Sequence, residues 1–591
     1  MQVAVARRLA ALAAGAPKAE TTADAEHAVR PLIAAHRRIF PGADADLLRR
    51  AYAVADHWHS GQVRKSGAPY ITHPLAVAIL LADIGMDTTT LVAALLHDTV
   101  EDTGLTIGQV KAEFGPEVAV LVDGVTKLDG SKWGDHAEGE TFRKMILAAS
   151  IDLRVLVIKL ADRVHNLRTL GHHAKREKRE RIARASMELL VPFAQRLGLY
   201  EYQREMEDLA FATLSPEAHG RVAALVRQTE ESRRADLGVL INGMRIELAA
   251  AGVRAQVEAR ARHLYSIHRS LPGGGRISGA GAGNDAGTEP LRPTDAARVV
   301  VVVDGSEGDC YVALGVLHGR WHPVDDRFRD YISMPKYNMY RSLHTVVLVG
   351  GGPVNVLIRT RAMDAVANYG VAARIREAGG KDGKVSADLA RQADLDWLNR
   401  LLAWQPLAAP GEFLDGLRAD LSQGMIVFTP DGTPVKLPAG STAVDFAYAV
   451  SPSTAGSAVG VLVNGMRKPM ENRLSHGQVV DLITGPYADP PDSWLAAAHS
   501  GHARAHLKAA IARRKADEAS ALGRAAVAKA LCAQRTGQGA SLRELEDDGT
   551  AFSAARKLGF PDLDALYEAV GLNKLSAPGF LAHLGFAAPS A

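Results

Sequence analysis

Cysteine is nearly absent from this chain of 591 residues, occurring only at Cys310 and Cys532. Thiols so far apart exclude a disulfide framework and a paired-thiolate zinc site, and they lead us to expect a reducing, cytoplasmic setting. Long apolar runs are missing too. No stretch reaches the roughly 18 to 20 residues that a membrane span needs. The Ala-rich start MQVAVARRLAALAAG is broken by arginines and lacks a small-residue cleavage site, so it reads as a frayed helix of a soluble protein. An excess of one charge is also lacking. Lys and Arg number 69 against 66 Asp and Glu, so no global field argues for a nucleic-acid coat and only local basic patches remain. What is present is ordinary globular material, 47% apolar and 23% charged, which excludes wholesale disorder. The length implies roughly three to five domains.

Apolar residues recur at helical spacing through residues 26–200, after a flexible start at 1–25, and predict an all-α domain. A helical connector follows at 201–255. The β-branched runs RVVVVVDG and SLHTVVLVG, with the Gly-terminated helix pattern GVAARIREAGG, then predict an α/β domain over 256–380. Its segment LPGGGRISGAGAGNDAGTEPLRPTD reads as a flexible insertion. A helical linker at 381–422 leads to MIVFTPDGTPVKLPAGSTAVDFAYAV, which reads as strand, Pro-Asp-Gly turn, strand, and a helix entered at Ser441 or Thr442. With a second turn at Asn464-Gly465, residues 423–487 predict a β-grasp module, and 488–591 a helical region. No internal repeat is found.

The unusual chemistry lies in the first domain. LVAALLHDTVEDTG ends an apolar helix on His97, Asp98, Glu101 and Asp102. On a continuous helix His97 stands over Glu101 and Asp98 over Asp102. RKSGAPYITHP adds His73 upstream, and KLADRVHNLRTL adds Asp162 and Asn166 downstream. Imidazole and carboxylate converging from three segments suit manganese or a similar hydrolytic ion, with Glu101 and Asp102 placed to orient a water or take its proton.

These words, with DGVTKL, resemble the HD-type hydrolase domain of long RelA/SpoT homologues, the alarmone enzymes of the bacterial stringent response. RFRDYISMPKYNMYRSLHTVV resembles that family's nucleotidyltransferase-like synthetase domain, and residues 424–486 its TGS domain, so the likeness covers roughly residues 30–490. Carried over position by position, the resemblance implies a single Mn2+ held by His73, His97, Asp98 and Asp162. It implies catalytic carboxylates at Glu101 and Asp102 and substrate contacts at Arg64, Lys65, Ser66, Asn166 and Thr169. The reaction it implies is hydrolysis of the 3′-pyrophosphate of ppGpp or pppGpp to GDP or GTP plus pyrophosphate.

The synthetase-like domain departs from the pattern. NVLIRT has Asn355 where the family has a magnesium-serving Glu, and an amide is a poorer ligand and no base. Pro293 stands five residues before Arg298 where the family has an Asp, although Asp295 lies close by. Ser270 replaces a basic residue and Arg341 a Gln. Arg260, Arg262, Ser266, Lys336, Tyr340 and His344 still occupy positions of nucleotide contact. Synthesis is therefore expected to be lost and the nucleotide site vestigial. A bifunctional synthetase and hydrolase, and a non-catalytic alarmone-binding or ribosome-associated regulator, stand as alternatives. The TGS and helical regions imply contact with tRNA or the ribosome, with GHARAHLKAAIARRK as a basic face. The family's terminal zinc-finger-like and ACT modules are not expected here.

Overall fold

The computed structural model describes residues 19–126, 137–271, 296–336, 338–349, 352–378, 396–422, 424–486, 489–534 and 541–584. The Ala-rich start, residues 272–295 of the Gly-rich segment, and with them Pro293 and Asp295, lie outside these. The chain forms two compact units, residues 1–402 and 403–591. The division falls inside the linker expected at 381–422. No described helix is long and apolar enough to cross a membrane.

The first unit begins as a helical domain. α1 (Ala19–Ile39), α2 (Thr72–Asp83), α3 (Thr88–Leu96) and α4 (Arg154–Arg168) position everything that follows. Asp87 caps α3 by accepting from the Thr90 backbone N–H. Nearly every α3 side chain is buried, as expected of a helix apolar on all sides. α4 likewise buries Val155, Leu156, Val157, Ile158, Leu160 and Ala161. The first turns of α3 and α4 are tied by Arg154, a fully buried guanidinium that reaches Asp87, Asp152 and Glu117.

α5 (Tyr200–Leu214) and α6 (Glu230–Ala250) occupy the expected connector. α6 is more than a spacer. Its Leu237, Leu240, Met244 and Leu248 belong to the core of the sheet that follows. That sheet holds β1 (Ala255–Ala261), β2 (Ala297–Val303), β3 (Arg329–Asp330), β4 (Leu343–Val349) and β5 (Gly352–Thr360) in the order β1-β2-β5-β4-β3. Only β2 and β5 run parallel. The valines of β2 alternate between faces. Val299, Val301 and Val303 join the main core, while Val300 and Val302 pack with Leu357 on the other side. α7 (Glu307–Arg320) and α8 (Arg361–Tyr369) flank the sheet. Gly370, with φ of 48°, lies against the end of the helical domain. A Cβ there would fall 2.0 Å from the Leu197 carbonyl oxygen, so no other residue fits.

In the second unit, β6 (Gly424–Phe428) and β7 (Pro434–Pro438) form the hairpin expected around Asp431-Gly432. β8 (Ala458–Val463) and β9 (Met466–Lys468) meet at Asn464 and Gly465, whose φ values of 49° and 77° fit a primed hairpin turn. β10 (Val480–Thr484) pairs with β8. The helix Ala443–Val450 is entered through Thr442 with a capping box to Asp445. The helical region follows, led by a helix of 34 residues, Gly501–Gln534.

Candidate metal centre

The helix carrying His97 does not run on through Asp102 as expected. It stops at Leu96, and a short second helix, Thr99–Asp102, begins after Asp98. The break has a local cause. His97 Nδ1 bonds the Ala94 carbonyl at 2.7 Å and Thr99 Oγ1 donates to the Leu96 carbonyl at 2.5 Å, so side chains take acceptors that a continuing helix would use. The expected column of Asp98 over Asp102 survives the break, since the Asp102 backbone N–H reaches the Asp98 carbonyl at 2.8 Å and the Tyr70 hydroxyl touches both carboxylates. Both residues at the junction keep right-handed helical dihedrals, and His97 Nε2 and Asp98 Oδ1 lie 3.1 Å apart, facing one point.

α2 and α4 complete that point. His73 Nε2 lies 3.4 Å from Asp98 Oδ2 and 3.2 Å from Asp162 Oδ1, and His97 Nε2 is 4.0 Å from the same Asp162 oxygen. His73, His97 and Asp162 are buried and offer ligand atoms all within 4.8 Å of one another. His97 Nε2 is buried without a hydrogen-bond partner, and its Nδ1 is engaged by a carbonyl that can only accept. Nδ1 therefore carries a proton, and the neutral ring keeps its lone pair on Nε2, facing inward, which is what a metal ligand requires. Two imidazole nitrogens and two carboxylates fit a divalent hydrolytic ion.

Other side chains hold the carboxylates. Lys159 Nζ reaches Asp162 Oδ2 at 2.9 Å and Asn166 Nδ2 donates to Oδ1 at 2.6 Å. Burial pushes the Asp162 carboxyl up, but Lys159 and His73 outweigh it and hold the group well below the usual carboxylate range. Asp98 is held low in the same way, by His97 and His73 against its burial. Tyr70 Oη lies 2.9 Å from Asp98 Oδ2 and 2.7 Å from Asp102 Oδ2, bridging the first carboxylate to one of the expected catalytic pair. Burial first, then both carboxylates, raise the Tyr70 phenol far above its usual value, so it remains a donor.

Of the expected substrate residues, Arg64 Nη2 donates to Asn166 Oδ1 at 3.2 Å, which links the RKSG turn to α4. Lys65 Nζ contacts His173 Nδ1 at 2.9 Å, Ser66 is exposed in the same turn, and Thr169 caps the end of α4. Glu101 lies one residue before Asp102 on the short helix and is half-buried. Sequence reasoning missed Tyr70, Lys159 and His165. Lys159 and His165 lie three residues to either side of Asp162 on α4, so helical spacing from that ligand was the available signal, whereas Tyr70 sits in the turn before α2, where no helical spacing applies.

In the sheet domain, Tyr340 Oη and His344 Nε2 lie 2.7 Å apart, and Lys336 Nζ sits 4.4 Å from the Tyr331 ring centroid and 5.1 Å from that of Tyr340. Burial, Lys336, Arg298 and Arg359 push His344 down to about 3. Arg260 is engaged by Asp364 at 2.8 and 3.0 Å, and Arg262 by Ser266 and Ser270. Asn355 is half-buried on β5 opposite Val346. Arg341 pairs with Glu307 on α7.

Residues 51–200 match the HD domain, 259–381 the region found in RelA / SpoT proteins, 425–484 the TGS domain, and 510–580 the RelA/SpoT AH domain. The chain is 44% identical over 558 residues to the bifunctional (p)ppGpp synthase/hydrolase RelA of Mycobacterium tuberculosis, covering 93% of this chain and 73% of that one. It is 41% identical over 576 residues to the GTP pyrophosphokinase of Streptomyces coelicolor, covering 94% and 66%. To the bifunctional (p)ppGpp synthase/hydrolase SpoT of Escherichia coli it is 40% identical over 493 residues, covering 83% and 68%. The chain thus spans about two thirds to three quarters of the length of these relatives.

Proposed function

The chain belongs to the RelA/SpoT family, and from that premise we propose that its helical domain hydrolyses ppGpp and pppGpp, releasing pyrophosphate and leaving GDP or GTP. The observation that carries this reading is the buried convergence of His73, His97, Asp98 and Asp162, with the His97 Nε2 lone pair unpartnered. Those four residues would hold one divalent ion, which we take to be Mn2+. When bound, such an ion acidifies a water and offsets phosphate charge.

The remaining steps fall to the chain. Lys159 and Asn166 fix both oxygens of Asp162. Tyr70 holds Asp102 beside Asp98, and Asp102 with Glu101 would accept the proton of an attacking water. The 3′ O–P bond breaks, and the nucleoside keeps its oxygen as a hydroxyl. Arg64 and Lys65 supply cations for the second polyphosphate arm or a face for the guanine ring.

A second reading is a bifunctional synthase and hydrolase. The names of the relatives favour it over hydrolysis alone. Against it stand this chain's own residues, above all Asn355 on β5, because phosphoryl transfer needs carboxylates for magnesium. The sheet domain then keeps Lys336, Tyr340 and His344 as a nucleotide site without turnover.

One set of incubations separates these readings: ppGpp with and without Mn2+, and ATP plus GDP with Mg2+, each followed by nucleotide separation. Mn2+-dependent GDP release without alarmone synthesis is the expected result. Synthesis would establish the bifunctional reading, and neither activity would leave a regulator that binds the alarmone. Contact with tRNA or the ribosome through residues 423–591, and a cytoplasmic location, are proposed on the family likeness alone.

A further inference from the structure

We propose that His165 is a positioning residue for His73: it accepts the His73 Nδ1 proton and so aims the His73 Nε2 lone pair at the ion. This rests on the metal-hydrolase reading above. The two Nδ1 atoms are 2.7 Å apart, and the rings lie 4.8 Å centroid to centroid with a 45° tilt. A neutral imidazole has one donor and one acceptor nitrogen, so this contact forms only when one Nδ1 carries a proton and the other does not. In the neutral ring a proton on His73 Nδ1 leaves Nε2, which lies 3.4 Å from Asp98 Oδ2 and 3.2 Å from Asp162 Oδ1, as the nitrogen whose lone pair a bound ion would take. The opposite tautomer would put a proton on that nitrogen and block it.

The second histidine ligand solves the same problem differently. His97 donates from Nδ1 to the Ala94 carbonyl, an acceptor with no proton to offer. His165 plays that part for His73. Its place on α4, three residues after Asp162 and one before Asn166, fixes the acceptor relative to the carboxylate that shares the ion. Outer partners of this kind typically change metal affinity by about 10- to 100-fold when removed.

The test is Mn2+ affinity, read from the free-ion signal in electron paramagnetic resonance, in the full chain with and without substitutions. His165→Phe keeps the ring volume and loses the acceptor, and should weaken Mn2+ binding about 10- to 100-fold. His165→Gln restores an acceptor oxygen and should bind nearly as the parent does. His165→Ala carries the same prediction as the Phe variant should that one fail to fold. Parent affinity in the Phe or Ala variant, or equal weakening in the Phe and Gln variants, would overturn the positioning role while leaving the hydrolase reading intact. A parent protein that takes up no Mn2+ would overturn both.

Discussion

Arg154→Met should cost the helical domain about 3 kcal/mol, the low end of what breaking a buried ion pair usually costs. The Arg154 side chain is 0% exposed and lies 3.1 Å from Asp87 and 2.6 Å from both Asp152 and Glu117. Removing the cation leaves carboxylates that are 1%, 4% and 40% exposed, so only Glu117 can turn to water. Three residual contacts lessen the cost. Asp87 keeps the Thr90 backbone N–H and hydroxyl at 3.1 and 2.6 Å, and Asp152 keeps the backbone N–H of residue 154 at 3.0 Å. For a domain of this size, 3 kcal/mol corresponds to roughly 6–12 °C in Tm. The assay is scanning calorimetry, following the transition that Mn2+ displaces. Because Arg154 ties the start of α3, which ends just before His97, to the start of α4, which carries Asp162, Mn2+ affinity should fall with it. Arg154→Lys keeps the charge without the fork and should fall between. A shift below about 2 °C would refute the reasoning, since it would amount to less than about 1 kcal/mol.

Acid should weaken the same junction. Burial lowers His36 to about 4 against an ordinary 6.5, despite Asp87 nearby, and its Nε2 bonds Thr88 Oγ1 at 2.9 Å. The unfolded chain then binds more protons between those values, so stability present above pH 6.5 is lost as pH falls toward 4, by about 3 kcal/mol. His36→Gln should flatten that slope in denaturant titrations, and an unchanged slope would assign it elsewhere. Mn2+ at about 100 times its Kd should stabilise the parent by about 2.7 kcal/mol. The calorimetric transition of Asp162→Ala should not respond to the ion, and an equal shift in that variant would remove Asp162 from the ligand set. Tyr70→Phe should lower kcat about 10-fold or more with the fold retained, because Asp98 and Asp102 lose their shared donor. Full turnover would make Tyr70 a packing residue only. Asn355→Glu alone should leave synthesis from ATP and GDP undetectable, and robust product would show that one carboxylate suffices.

Local pattern was enough for the element types. Helical spacing over 26–200, the valine run of β2, and the turn residues Asp431-Gly432 and Asn464-Gly465 each specify their element through short-range sterics and periodicity. The identities of the ligand types, His with Asp on three separate words, were legible for the same reason. What local pattern could not supply was direction. The sequence alone does not disclose that side chains take the Ala94 and Leu96 carbonyls where the helix pauses at His97 and Asp98, nor that His73 arrives between Asp98 and Asp162. Nor does spacing disclose that α6, a connector by its pattern, completes the core of the sheet domain. Tyr70 and Lys159 gain their roles only once α2, α3 and α4 pack, because a hydroxyl or an ammonium has meaning at a site only when its partner arrives from elsewhere in the chain. The sequence by itself determined which groups and which elements exist. Tertiary packing decided which lone pairs face one another, since that depends on contacts among residues as far apart as His73 and Asp162, which no local rule encodes.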